Sequence, residues 1–341
     1  MRVAAIPLAD PQWGEFVSSH PGAGPFHLPA WATLLADCYR FEAFVLAVRD
    51  TDGEILAGAP TMAVPAPVGG PPRWVSLPFS DSCPLLVRPD VSITDVAGVL
   101  KEHVFASRAR DLEVRADLPP ADGLFPVEAG STYVLALPSD AAVLHPSKGH
   151  RQNRNLAARR GVRVTYGNRA RDVAAFYRLH TLTRRRQGVP VQPRRFFDLI
   201  GDRLLASGHG FVASATLDGE VIAAGLFLTL NDTIVAKFRA SDPAHQDTGA
   251  GFLVDWEAIA AACAEGYRVL DLGRTDRGEH GQRRYKAGWG AVEEPLVYTH
   301  IAKSAPRTAR LRGGSLSRRV IRRSPTWVPR ALGEVFYRWT A

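Results

Sequence analysis

At 341 residues the chain exceeds the roughly 250 to 300 residues at which a single hydrophobic core stops growing, so two domains are expected. Hydrophobic residues make up 46% and charged residues 22%, which excludes a mainly disordered chain, and the longest apolar runs, such as 221–227, fall far short of the roughly 20 residues of a membrane helix. The formal net charge of +8 favours anionic partners.

In chain order, residues 13–19 and 28–39 read as helices from apolar residues at helical spacing. The stretch 44–58 reads as a strand, a turn at Asp52-Gly53 and a second strand, because Asp-Gly supplies the positive φ angles of tight hairpins. After a Pro-rich and Gly-rich loop at 65–72 come a strand at 73–77, a helix at 93–108 and a strand at 112–115. The same order then returns, with helices at 173–186 and 195–206, a hairpin at 211–225 turning on Asp218-Gly219, a strand at 233–239, a helix at 251–265 and a strand at 267–272. The hairpins agree on both sides of their turns, the second being one residue shorter, which predicts an internal duplication with a boundary near 138–148. Residues 1–140 and 141–303 form the two halves. A basic helical tail, 304–341, follows, in which Leu316, Val320 and Ile321 lie among arginines and Leu332, Val335, Phe336 and Trp339 recur with few charges, a pattern that suits docking on the body or on an anionic membrane surface.

Charge is segregated. Residues 148–195 hold fourteen Lys and Arg against Asp172 alone, and 304–341 hold nine Arg against Glu334. The remainder is acidic. The guanidinium fork suits phosphate, so the two runs point to a polyanion, while no zinc finger or basic zipper supports DNA readout. Solvated helix faces are the alternative explanation of each run. The start of the chain has no apolar core of signal-peptide length. Cys38, Cys83 and Cys263 match no metal-ligand spacing and cannot pair evenly, which implies a reduced, cytoplasmic setting and no metal site.

Three segments carry a resemblance to a known family. Ser147-Lys-Gly-His-Arg-Gln-Asn-Arg-Asn-Leu-Ala-Ala-Arg-Arg-Gly-Val162 resembles the basic helix that opens the second half of Fem-type acyltransferases, and 180–190 resembles the Thr-Arg and Gly-x-Pro pattern that follows it. Gly266-Tyr-Arg-Val-Leu-Asp-Leu-Gly-Arg-Thr275 with Gly281-Gln-Arg-Arg-Tyr-Lys-Ala-Gly-Trp-Gly290 is similar to the family's Asp-x-Gly-Arg and Tyr-Lys-x-x-Trp-Gly signatures. The resemblance implies an α/β (α+β), tandem GNAT-like fold of two mixed β-sheets each flanked by helices, and transfer of an acyl group to an amine. In the Fem proteins proper the donor is an aminoacyl-tRNA and the acceptor an amine of a peptidoglycan precursor peptide; related members act in polysaccharide or natural-product pathways.

Carried onto this chain, the resemblance gives Lys286 the donor carbonyl and Tyr285 an aromatic surface for a base. Asp271, at a strand end, would orient Arg274 or Lys286 or serve as a structural ion pair. The alternative for Lys286 is a surface lysine on a final strand. Arg239 would face the acceptor, beside Phe238, and Lys148, Arg151 and Arg154 would meet phosphate. Gln246-Asp-Thr-Gly249-Ala-Gly251 has the spacing with which GNAT enzymes cradle the pyrophosphate of an acyl-CoA at a helix start, although such glycines also serve simple helix entry. The expectation is therefore an acyltransferase without a tightly bound cofactor, using aminoacyl-tRNA on a phosphorylated or peptide-bearing small-molecule acceptor for cell-wall or specialised-metabolite synthesis. An acyl-CoA-dependent N-acyltransferase and a non-catalytic RNA-binding or membrane-peripheral scaffold are the alternatives. His280 is a minor candidate base; the histidines show no metal spacing.

Overall fold

The structure, a computed structural model, describes residues 1–66, 69–306 and 315–340. Two compact units divide the chain, the first comprising 1–131 and the strand returning from 295, the second 132–294 and the tail. The chain thus changes unit at 131/132 and again at 294/295, each time inside a strand, whereas the duplication placed a single boundary in the loop after 138. A strand whose two ends belong to different cores leaves no break in composition, so the periodicity could not reveal it.

The first unit begins with β1 (Arg2–Ile6) and α1 (Pro11–Ser19), where the Asp10 carboxylate caps the Gln12 N–H, Pro11 occupies the first turn, and Trp13 and Val17 face inward. α2 (Pro29–Tyr39) buries Trp31, Leu34 and Leu35. The first hairpin joins β2 (Glu42–Arg49) to β3 (Ile55–Val64). Its extra turn residue is accommodated because Asp50 Oδ1 accepts from both the Asp52 and Glu54 N–H groups at 2.9 Å. β4 (Arg73–Val75), β5 (Leu86–Val87), α3 (Ile93–Ala106), β6 (Asp111–Val114) and β7 (Leu124–Ala136) complete the run; residues 67–68 of the expected 65–72 loop lie outside the described residues. The strand order is β1-β2-β3-β4-β6, with β5 on β3 and a parallel β4/β6 step. The core gathers Leu46, Val48, Leu100, Leu112, Val114 and Ile301.

The second unit starts with α4 (Lys148–Arg159), β8 (Arg163–Gly167), α5 (Ala170–Gln187) and α6 (Arg194–Ile200), the last continued by a π turn. The second hairpin joins β9 (Gly210–Leu217) to β10 (Glu220–Leu230) through two residues alone, Asp218 and Gly219, both with positive φ as this turn requires. β11 (Thr233–Ser241), α7 (Ala250–Ala264), β12 (Val269–Asp271), α8 (His280–Ala287) and β13 (Val292–Ala302) follow. The order is β12-β11-β10-β9-β8, with the 134–136 end of β7 antiparallel to β12 and β11 parallel to it; in the first unit the 299–302 end of β13 pairs with β6. α7 is apolar almost all round and lies against Phe227, Ile234, Leu270 and Trp289. Finally α9 (Ser315–Arg323) and α10 (Trp327–Phe336) form the tail. The side chains of Leu316 and Trp339 lie outside the described residues.

Candidate functional site

The motif segments 147–162, 246–251 and 271–290, distant in sequence, meet in the second unit around one helix start and one buried carboxylate. Ser147 caps α4 and His150 turns back from its first turn. The His150 Nε2 lies 2.8 Å from the Tyr285 carbonyl, which only accepts, so this nitrogen carries the proton; Nδ1 then accepts from the Ser147 hydroxyl at 2.8 Å. Burial lowers the His150 pKa, which keeps the ring neutral. The ring lies so close over Gly288 that any Cβ there would overlap it, and the Ser147 N–H donates to the Gly288 carbonyl at 2.8 Å. α4 is thereby fastened to the end of α8.

The same helix covers the start of α7. Gly249 has φ +77°, and a Cβ on it would overlap the Asn153 carbonyl of α4. Arg160 closes the contact by donating to the Asp247 carbonyl at 2.8 Å and pairing with its carboxylate at 3.0 Å. The first free N–H of α7, that of Ala250, is met by Thr248 Oγ1 at 3.2 Å. A glycine that would approach a pyrophosphate thus approaches a carbonyl oxygen of its own chain. Gln246 is exposed, and Gly251 faces open space.

Within α7 stands Asp255, 2% exposed, a residue absent from the sequence expectations. Its two oxygens are divided: Oδ1 accepts from Arg239 Nε at 2.7 Å, and Oδ2 from the Tyr285 hydroxyl at 2.6 Å. Burial, then the Asp255 charge, pushes the Tyr285 phenol well above its ordinary value, so the hydroxyl stays protonated and donates. Burial alone would lower the Arg239 guanidinium, but Asp255 outweighs it and the net shift is upward. Among the described residues Arg239 Nη2 is buried without a hydrogen-bond partner. The Tyr285 ring packs against Phe252 and His150, with centroids 5.0 and 5.2 Å away. The signal in the sequence was a lone acid inside the apolar run Phe252-Leu-Val-Asp-Trp256.

Lys286 lies on α8, not on a strand, and is only 4% exposed, so it is not a surface lysine. Its ammonium donates to the Gly273 carbonyl at 2.6 Å and the Arg274 carbonyl at 3.1 Å, closing the turn after β12. Asp271 accepts from the Gly273 N–H at 2.7 Å and the Thr132 hydroxyl at 2.8 Å, while Arg274 pairs with Asp276 at 2.8 Å. Asp271, Arg274 and Lys286 are therefore brought together as one turn. Of the basic residues of α4, Lys148, Arg151 and Arg159 are exposed along one face, whereas Arg154 stacks over Trp256 at 3.8 Å. His280 is exposed at the start of α8. Among the described residues no cluster could hold a metal ion.

Residues 147–287 match the acetyltransferase (GNAT) domain family. A search of the curated proteins finds no match. Among solved structures, FemX is similar at 15% identity with a TM-score of 0.71, covering 88% of this chain and 97% of its own. The C-terminal domain of a putative lysylphosphatidylglycerol synthetase from Agrobacterium fabrum is similar at 14% identity and a TM-score of 0.55, over 86% of this chain and 90% of its own. A tandem GNAT protein from the clavulanic acid biosynthesis pathway is similar at 14% identity and a TM-score of 0.50, over 89% and 99%. The chain has a FemX-like tandem GNAT fold, within which residues 147–287 are the part that matches the GNAT acetyltransferase family.

Proposed function

We propose that the second unit transfers an aminoacyl group from aminoacyl-tRNA to an amine on a cell-wall precursor peptide or a specialised metabolite. The observation that carries the choice of donor is the covered start of α7: the Asn153 carbonyl stands beside Gly249 and Thr248 caps the Ala250 N–H, where a CoA pyrophosphate would need donors facing an open cradle. The exposed face bearing Lys148, Arg151 and Arg159 supplies positive charge for a nucleic-acid backbone instead. In the reaction the amine attacks the ester carbonyl, an oxyanion forms, and collapse releases the ribose hydroxyl with the proton lost by the amine. Lys286 places its charge beneath the Gly273–Arg274 turn and favours that oxyanion, while Asp271 and Arg274 shape the turn. Arg239, fixed by Asp255 through Nε, offers the exposed quarter of its side chain to an anionic group of the acceptor. Tyr285 offers the part of its ring that is not packed to the terminal base.

The Gln246, Gly249 and Gly251 spacing, with open space beside Gly251, favours acyl-CoA as the second reading. The two separate by binding. Total tRNA should bind with a strong salt dependence, and replacing Lys148, Arg151 and Arg159 by Gln should flatten the slope by roughly 0.7 to 0.9 per lost phosphate contact. Thermal stabilisation by CoA with no tRNA binding would overturn the reading in favour of the second.

A further inference from the structure

The tail presents side chains that stay exposed among the described residues. Its inward contacts are specific: Ile321 is buried, the Val191 N–H donates to the Pro329 carbonyl at 2.9 Å, and Gly333 lets α10 lie directly on the Val191 backbone, where a Cβ would overlap the carbonyl. Glu334, the one acid of 304–341, accepts from the Arg194 backbone N–H at 3.2 Å. These contacts fix which side of each helix remains outside. Trp327, Ala331 and Val335 follow one another at intervals of four on the outer side of α10, a single helical stripe. Trp327 is 66% exposed, Val335 59%, Phe336 54%, and Val320 of α9 57%. On α9, Arg318, Arg319, Arg322 and Arg323 are exposed and form no ion pair among the described residues.

We infer that this face docks on an anionic lipid bilayer. Exposed Trp and aliphatic side chains gain by entering the headgroup boundary, and the four exposed arginines of the preceding helix gain from the negative surface potential. A second copy of the chain fits poorly, because a two-fold contact through this face would bring the arginine clusters together. A nucleic acid would satisfy the arginines and could stack on Trp327, but it would leave Val320 and Val335 in water. The surface lies on the tail and is independent of the donor and acceptor assignments.

The test is co-sedimentation of the full chain with phosphatidylcholine vesicles, with and without about a third phosphatidylglycerol. Binding should require the anionic lipid. Changing Arg318, Arg319, Arg322 and Arg323 together to Gln should weaken it at least about a hundredfold, since each arginine near the surface contributes about fivefold. Trp327→Ser with Val335→Ser, both mostly exposed positions, should also weaken it about tenfold or more. Melting curves confirm that both variants stay folded. Equal binding to neutral vesicles, no binding to either kind, or insensitivity to the Trp327/Val335 pair would overturn the inference, as would arginine-dependent binding of tRNA by a chain that leaves anionic vesicles unbound.

Discussion

Replacing Asp255 by Asn tests the centre of the site without any substrate in hand. The substitution preserves shape and leaves the amide able to exchange a hydrogen bond with the Tyr285 hydroxyl, but it removes the charge that faces the Arg239 guanidinium at 2.7 Å. Breaking a buried ion pair by removing one partner costs about 3–5 kcal/mol, because the other charge is left uncompensated. A quarter of the Arg239 side chain is exposed, 26%, and water screens that part. The expected loss is therefore about 2–3 kcal/mol. Urea denaturation measures it as a shift of midpoint at unchanged slope. Arg239→Met alone should cost as much, since it leaves a carboxylate that is 2% exposed with Tyr285 as its remaining partner. The double variant Asp255→Asn with Arg239→Met should then be more stable than the sum of the single losses predicts, by a coupling of about 1–3 kcal/mol. A loss below about 0.5 kcal/mol for Asp255→Asn, or simple additivity in the cycle, would refute the reasoning.

Three further substitutions have defined outcomes. Lys286→Met strands the Gly273 and Arg274 carbonyls, so stability should fall by about 2–4 kcal/mol, and single-turnover transfer by the folded variant should drop roughly a hundredfold to a thousandfold; a normal rate would remove Lys286 from the chemistry. Gly249→Ala meets both the positive φ and the Asn153 carbonyl, so a loss of about 2–4 kcal/mol in chemical denaturation is expected, and a neutral result would show that α4 does not press on the turn. Burial pushes His180 down to about 3, whereas the unfolded chain titrates near 6.5, so between those values the unfolded state binds the extra proton. Stability present above about pH 6.5 should accordingly decline as pH falls, by about 2 kcal/mol at pH 5 from this group, and His180→Gln should flatten the decline between about pH 7 and pH 5. An unchanged pH slope would show that His180 is solvated in the folded chain.

The repeated hairpins were legible because their cause is local: an Asp-Gly turn between two apolar alternations needs no distant partner. The long helices were legible for the same reason, their apolar spacing being written in consecutive residues, and the 93–108 and 251–265 expectations differ from Ile93–Ala106 and Ala250–Ala264 by one or two residues at the ends. What escaped was set by distant partners. β13 carries Thr299 to Ala302 back to β6 through pairs almost two hundred residues apart, and no periodicity marks that return. Lys286 was identified from a motif, but its burial and its two carbonyl partners depend on where the turn after β12 lies. Asp255 escaped because a single carboxylate in an apolar helix reads as an interruption until Arg239 and Tyr285 are seen to converge on it.

The glycines of the two motif segments acquire a common explanation from α4. Read alone, Gly249 belongs to a phosphate-binding spacing and Gly288 to a family signature, as though each served a ligand. In the structure Gly288 makes room for the His150 ring and Gly249 for the Asn153 carbonyl, so both accommodate one helix, at its first turn and at its middle. Arg160 adds a third fastening at the far end. A helix held at three points would lose little further freedom on binding the polyanion proposed for Lys148, Arg151 and Arg159, so less of the contact energy would be spent on ordering the receptor. The fastenings run to the Asp247–Ala250 turn and to Tyr285, whose hydroxyl reaches Asp255. The basic face and the buried carboxylate therefore share one rigid frame, and a bulky side chain at either glycine should disturb both at once.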